Sequence, residues 1–456
     1  MIEETIIALS TPPGRGGLGI VRLSGKKAYS IAKKIFKPKN NSLKEIPPRC
    51  PVLGRIINPE NGEPFEEAFV TYFPAPNSYT REDVIEISCH GSPVVLEEII
   101  KLGIKYGARL AKPGEFTLRA YLNGRIDLIQ AEAVNDLINA WTMDQAKISF
   151  SQLEGNLSKK INNLREKLIT LLSNIEAIIE FPEEGVEISR SEINQEIKNI
   201  MKFIQPLIES FDYGVKLKEG VKVVITGKPN VGKSSLFNAL LQRERAIVTP
   251  YPGTTRDYLQ ERITIDGISF ILFDTAGIED STHPIEVEGI QRGRRLIDEA
   301  DGVLLLFDLS EKESEEDFQL IEKVRDKNVI FVFNKMDLPV KIDKEIILKK
   351  INGYPWLEIS AKEERNLEKL KKLIRKIFIP DEKKTEEIIL SLRQKILLEK
   401  VKESLVGASK LLEEGYSEEY FMEEARKAAD YLGELTGKIK IDEILNEIFN
   451  NFCIGK

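Results

Sequence analysis

The stretch Gly227-Lys228-Pro229-Asn230-Val231-Gly232-Lys233-Ser234-Ser235 decides the fold of this chain. It follows the apolar, β-branched run Val221–Ile225 and precedes the helical pattern Leu236–Leu241. Strand, glycine-rich loop and helix in that order are the setting in which GxxxxGK[ST] makes a phosphate cradle. The two glycines let the backbone curl so that several N–H groups point into one hollow. Lys233 adds a cation, and the helix that follows adds the positive end of its dipole. Ser234 offers a hydroxyl to a magnesium ion bound to the same phosphates.

Four more motifs follow in the order a GTPase needs. Gly253-Thr254-Thr255-Arg256-Asp257 offers Thr255 to complete the magnesium shell once a γ-phosphate is present. Asp274-Thr275-Ala276-Gly277 follows a strand; its carboxylate reaches the magnesium through water and its glycine N–H faces the γ-phosphate. Asn334-Lys335-Met336-Asp337 also follows a strand. Its aspartate can accept from the N1–H and N2 amine of guanine, which adenine does not present. Ser360-Ala361-Lys362 fits a backbone contact to guanine O6. Together with Val231, Ser235 and the intervening Thr249, Pro250, Tyr251 and Pro252, these residues form the candidate GTP site, and ATP is the losing alternative.

The hydrolytic machinery departs from the small Ras-like pattern, in which a glutamine after Asp-x-x-Gly orients the attacking water. Here that position is Ile278, which has no polar atom. The acidic residues Glu279, Asp280, Glu286 and Glu288 are the candidates to hold the water instead. No arginine finger is evident. Asn230, with backbone carbonyls of the Thr249–Thr254 segment, can bind a monovalent cation that places positive charge where an arginine finger does.

The 456 residues correspond to about three domains. With 42% apolar and 30% charged residues, the composition is that of a globular protein, and a net charge of −7 argues against a uniformly basic nucleic-acid coat. Cys50, Cys89 and Cys453 are odd in number and widely spaced, and His90 and His283 are the only histidines, so neither a disulfide framework nor a zinc centre is expected. Met1–Thr5 lacks a basic leader pattern and no run of eighteen apolar residues occurs, which predicts a cytoplasmic, non-membrane protein.

The expected architecture is multidomain α/β. Residues 1–118 read as an α+β domain, with strands at Ile6–Ser10, Gly19–Leu23, Ala68–Phe73 and Val84–Ser88 and helices at Ala28–Phe36 and Pro93–Tyr106. Residues 119–217 are helical: Leu157, Ile161, Leu164, Leu168, Leu171, Leu172, Ile175 and Ile178 recur at helix spacing, and Pro182 breaks the run. Residues 218–378 form a P-loop unit with a mostly parallel sheet, and Asp266-Gly267 signals one antiparallel hairpin. Helical periodicity returns over 379–456, so the P-loop unit reads as an insertion into one helical domain. The basic run Lys26, Lys27, Lys33, Lys34, Lys37 and Lys39 reads as a solvated helix face before it reads as a tRNA contact.

Three stretches outside the P-loop unit resemble one family. They are Thr11-Pro-Pro-Gly-Arg-Gly-Gly-Leu-Gly-Ile-Val-Arg-Leu-Ser-Gly25, Pro113-Gly-Glu-Phe-Thr-Leu-Arg-Ala-Tyr-Leu-Asn-Gly-Arg-Ile-Asp-Leu128 and Phe452-Cys-Ile-Gly-Lys456. With Gly-Lys-Pro-Asn-Val-Gly-Lys-Ser and Gly-Thr-Thr-Arg-Asp, they make the whole chain similar to the MnmE (TrmE) family of tRNA-modification GTPases. The resemblance implies that the N-terminal domain is folate-binding-like, takes 5-formyl-tetrahydrofolate or a related folate, and forms a homodimer. The matching folate positions are Arg22, Glu86, Arg125 (where the family often has lysine) and Lys456. It also implies potassium ligation by Asn230, Thr249, Tyr251 and Thr254, magnesium ligation by Ser234 and Thr255, and Glu286 as the water-orienting carboxylate beside Lys233 and Asn230. Cys453 matches a motif cysteine and is a candidate thiol that reads first as a packing residue. The implied partners are tRNA and the flavin protein MnmG (GidA), in a heterotetramer that installs a carboxymethylaminomethyl group on C5 of wobble uridine. The rival is a ribosome-assembly GTPase like Era or Der, which predicts a KH module or a second P-loop; neither pattern is present.

Overall fold

The computed structural model describes residues 4–40, 45–180, 189–242, 259–274, 296–379 and 387–439, and positions 445, 448, 449, 452, 453 and 455. It separates into two compact units. One comprises residues 1–138, 150–193 and 403–456; the other comprises 139–149 and 194–402.

The first unit is built on a seven-stranded sheet. In chain order its strands are β1 (Thr5–Leu9), β2 (Gly16–Ser24), β3 (Phe36–Pro38), β4 (Val52–Ile57), β5 (Pro64–Phe73), β6 (Val84–Gly91) and β7 (Ala108–Leu110). In space they run β3-β4-β5-β6-β2-β1-β7. Every pair is antiparallel except β1 with β7. Helices Ala28–Ile35 and Pro93–Lys105 cover one face, where Ile31, Ile35, Leu96 and Ile99 pack on Val21, Leu23, Ile85 and Ile87. Alternation along β2 and β6 puts those residues on the core side and leaves Arg22 and Glu86 on the other. Strands β3, β4 and β7 go beyond the expected set, and β2 begins inside the expected glycine loop, at Gly16.

The helices of this unit follow the leucine and isoleucine stripe. In helix Asn156–Glu180 the buried apolar positions are Leu157, Ile161, Leu168, Leu172 and Ile175, one face at helical spacing. That helix packs against helix Glu418–Thr436, and Arg165 donates to the Ala429 carbonyl across the contact (3.2 Å). The break expected at Pro182 falls outside the described residues. Helix Arg190–Glu219, which belongs from residue 194 to the second unit, carries Pro206 within it.

The second unit contains a six-stranded sheet: β8 (Val221–Gly227), β9 (Leu259–Ile265), β10 (Ile268–Asp274), β11 (Gly302–Asp308), β12 (Val329–Asn334) and β13 (Trp356–Glu358), ordered β13-β12-β11-β8-β10-β9. All pairs are parallel except the β9–β10 hairpin. Its turn is Asp266-Gly267, both at positive φ (45° and 83°), as a two-residue hairpin loop that matches strand twist requires. Strands β11 and β12 are buried along their whole length, the mark of a parallel sheet covered on both faces. Leu304, Leu306, Ile330 and Val332 face helices Lys233–Gln242 and Leu367–Phe378. Val303, Leu305, Phe307, Phe331 and Phe333 face helices Glu315–Val324 and Lys344–Lys350. Among the described residues no helix is long and apolar enough to cross a membrane.

The first unit also holds a buried charge network. Arg109 and Arg119 both donate to Glu115 (2.7–2.9 Å), and Arg119 reaches on to Glu82 (2.9 Å). Glu115 is 4% exposed and Arg119 1%. Burial pushes the Glu115 carboxyl up. Hydrogen bonds from Arg109, the Lys112 N–H and Arg119 outweigh it and hold it at about 2, against 4.5 ordinarily. A carboxyl held down in the folded state contributes stability that is present above its unfolded pKa and lost as pH falls through its folded one. The N-terminal fold is therefore expected to keep this contribution at pH 7 and to lose it between about pH 4.5 and about 2. Glu115→Gln should destabilise it at pH 7 by roughly 3 kcal/mol, because the buried Arg119 and the partly exposed Arg109 lose the buried carboxylate they share. Thermal melting of both proteins at pH 7 and pH 3 checks this; a Glu115→Gln deficit as large at pH 3 as at pH 7 would refute it.

Candidate nucleotide-binding site

The motifs of the second unit meet at the carboxyl ends of its parallel strands, where open α/β sheets bind ligands. The phosphate loop leaves β8 at Gly227, and Asp274 ends β10. Asn334 ends β12, and Ser360 follows β13. Helix Lys233–Gln242 begins at the motif lysine, with Ser234 and Ser235 exposed at its first turn.

The loop is shaped by close packing. Gly227 (φ 149°) lies against β11, where a Cβ would meet the Leu306 carbonyl at 2.6 Å. Gly232 (φ 96°) lies against Asn334, where a Cβ would meet Nδ2 at 2.3 Å. Asn230 takes a left-handed conformation (φ 64°) with its side chain exposed. Lys233 is buried, and its ammonium donates to the carbonyls of Gly227 (2.7 Å) and Lys228 (3.2 Å).

The base-reading motifs are tied to the same frame. Asn334 donates through Nδ2 to the Val231 carbonyl (2.9 Å) and accepts at Oδ1 from the Ala361 N–H (3.0 Å). Lys335 (φ 63°) pairs with Asp308 at the end of β11 (2.5 Å). Burial pushes the Asp308 carboxyl up, but hydrogen bonds from Lys335 and Ser310 outweigh it and hold it below the usual range. Ser360 donates to Asp337 (2.6 Å), which lowers the Asp337 pKa and fixes a carboxylate at the rim with its charge retained. Asn366 (φ 62°) closes the loop behind them by donating to the Glu358 carbonyl (2.9 Å). This arrangement can hold phosphates with backbone N–H groups and one buried ammonium, and can present a carboxylate to paired donors on a base. Ser234 and Asp274 supply hard oxygen donors of the kind magnesium takes, and the exposed Asn230 amide oxygen suits a monovalent cation.

Of the residues expected from sequence, Thr249, Pro250, Tyr251, Pro252, Gly253, Thr254, Thr255, Thr275, Ala276, Gly277, Glu286 and Lys456 lie outside the described residues. The structure brings Asn230, Val231, Gly232, Lys233, Ser234, Ser235, Asp274, Asn334, Lys335, Met336, Asp337, Ser360, Ala361 and Lys362 to one end of one sheet. Asp308, Asn366 and the contact between Lys228 and Asp317 were not anticipated. Ser314-x-x-Asp317 is a capping signature that could have pointed to the last.

In the first unit, Arg22 and Glu86 are cross-strand neighbours on β2 and β6, paired through Arg22 Nε (2.9 Å) and Nη2 (2.8 Å). Arg22 also reaches the Gly455 carbonyl (3.4 Å), which Ser10 contacts as well (3.2 Å). Arg125 joins the cluster through Tyr79: its guanidinium lies 4.7 Å from that ring's centre, and Arg22 lies 5.7 Å from it. Two guanidiniums, an aromatic face and a partly exposed carboxylate make a donor set suited to an anionic, aromatic ligand such as a folate. Sequence reasoning missed Tyr79, whose place between two arginines depends on the loop before β6. Cys453 is exposed, and its carbonyl accepts from the Gly114 N–H (3.4 Å).

Two family models match the chain: the MnmE helical domain over residues 128–453 and the GTP-binding protein TrmE N-terminus over residues 5–125. The tRNA modification GTPase MnmE of Thermoanaerobacter sp. (strain X514) is 43% identical over 460 residues, covering 100% of both chains. The chain belongs to the MnmE family. The MnmE of Aquifex aeolicus is 42% identical, again over 100% of both chains. A solved structure of Era from Aquifex aeolicus is 30% identical over 40% of this chain and 66% of its own, with a TM-score of 0.29.

Gly232→Ala tests the packing that sets the MnmE-type phosphate loop here. It should weaken binding of a fluorescent guanine nucleotide roughly 10- to 100-fold, through a strained left-handed residue and a displaced Asn334 carboxamide. Unchanged affinity in a fluorescence titration would show that the loop tolerates the methyl.

Proposed function

We propose that this protein is a GTP hydrolase acting in tRNA modification, with a flavin partner of the MnmG type, on C5 of the wobble uridine of certain tRNAs. The observation that carries this reading is the convergence of phosphate loop, Asn334–Asp337 and Ser360–Lys362 at one sheet end, in a chain whose full-length relatives are named tRNA modification GTPases. The ribosome-assembly alternative is not favoured, because the family models matched at both ends are those of MnmE.

In the proposed mechanism the loop N–H groups and Lys233 bind the β- and γ-phosphates and stabilise charge as the γ-phosphoryl group departs. Asp337, oriented by Ser360, selects guanine. Glu286 orients the attacking water in place of the glutamine that Ile278 replaces. Ser234 and Thr255, with Asp274 behind them, would hold magnesium, which neutralises phosphate charge. Asn230, Thr249, Tyr251 and Thr254 would hold potassium, which supplies the positive charge an arginine finger gives elsewhere. In the N-terminal domain, Arg22, Glu86, Arg125 and Lys456 would bind a 5-formyl-tetrahydrofolate-type ligand, the source of a one-carbon unit. The protein is read as a cytoplasmic homodimer that assembles with its flavin partner into a heterotetramer.

GTP turnover should rise with potassium and not with sodium, and Asn230→Ala should abolish the difference. Equal rates in the two salts would remove the cation from the mechanism. In cells lacking the protein, mass spectrometry of tRNA should show wobble uridines without the carboxymethylaminomethyl group. An unaltered modification profile would reject the tRNA role.

A further inference from the structure

The geometry points to Lys228, the second residue of the phosphate loop, as a positioning residue for GTP hydrolysis, held in place by Asp317 and Ser314. This rests on the GTPase reading above. The Lys228 ammonium lies 2.7 Å from Asp317 Oδ2 and donates to Ser314 Oγ at 3.1 Å. Asp317 is 2% exposed and the Lys228 side chain 13%, so this is not the exposed kind of ion pair that contributes little.

Helix Glu315–Val324 does not need the lysine. Its start is already capped, because Asp317 Oδ2 accepts from the Ser314 N–H (2.8 Å) and from Ser314 Oγ (3.1 Å). The third donor comes from a loop distant in sequence, and its consequence falls on that loop. The Lys228 backbone carbonyl is one of the two that hold the Lys233 ammonium, at 3.2 Å. Lys228 is thus fixed at both ends: its side chain is anchored to a buried carboxylate and its carbonyl touches the phosphate-binding cation. Asn334 anchors the far side of the same loop through the Val231 carbonyl. Between these two anchors stands Asn230 in its left-handed conformation. Releasing the Lys228 anchor would let the first half of the loop relax. The N–H groups and Lys233 would then be misplaced where charge develops on the phosphoryl oxygens, while Asp337 and Ser360 would still bind guanine.

The test uses the full-length protein with Lys228→Met, Asp317→Asn, the double variant and Lys228→Arg, measuring steady-state GTP turnover, KM and melting temperature. Lys228→Met and Asp317→Asn are each expected to lower kcat about tenfold, the scale of a small misplacement, with KM moving less than about threefold. The double variant should fall no further than the worse single one, and Lys228→Arg, which keeps the charge, should retain most of the activity. Unchanged kcat in Lys228→Met overturns the proposal. So do losses that multiply in the double variant, or a lowered melting temperature with turnover per folded molecule intact. No turnover by the unsubstituted protein would overturn the GTPase reading itself, and the positioning role with it.

Discussion

The carboxamide of Asn334 has both of its ends committed to backbone. Its NH₂ group is bonded to the Val231 carbonyl and its oxygen to the Ala361 N–H, and the residue is 2% exposed. Three loops leaving three different strands are held by one side chain. The pairing of Asp308 with Asn334 and of Leu306 with Gly227 puts the ends of β8, β11 and β12 level, which is what allows so short a side chain to span them. The same closeness constrains Gly232. A Cβ there would strike Asn334 Nδ2, so the glycine is required by protein packing as well as by the approach of a phosphate.

Charge at this sheet end is organised in the same way. Lys228 and Lys335 each pair with a carboxylate that is 2% exposed, Asp317 and Asp308 respectively. Lys233 donates to the loop's own carbonyls at Gly227 and Lys228.

In the described part of this site, the phosphate loop, Asp274 and Asn334 were legible in the sequence because each stands where a strand ends. An apolar run followed by a glycine, an asparagine or an aspartate is a local signal, and the buried strands β8, β10, β11 and β12 supply it. The hairpin at Asp266-Gly267 was legible for the same reason. What was not legible depended on register or on distant partners. In β4, Gly54 interrupts the apolar alternation; it is there because the Phe36 ring would lie 2.5 Å from a Cβ. Asp308 reads as an ordinary strand-end aspartate until β11 and β12 are placed in register. Lys228 reads as an ordinary loop lysine until a helix that begins far along the chain supplies Asp317.

The polar cluster in the first unit shows the limit of local reading most clearly. Arg22 and Glu86 meet only because β2 and β6 pair antiparallel in one register; a slip of one residue would turn both toward the core. Gly455 reaches them because it lies close against β1, where a Cβ would sit 2.0 Å from the Leu9 carbonyl. Phe449 and Phe452 pack among Tyr121, Leu128 and Ala131, and the Tyr121 hydroxyl donates to the Gly437 carbonyl (2.7 Å). Among the described residues there, Phe449 and Phe452 are held by apolar burial and Gly455 by two contacts to its carbonyl. The cluster is therefore assembled from residues near both ends of the chain. It exists only when the first strands and the last helical segment fold as one unit, so whatever binds there must stabilise that closure by its own binding free energy.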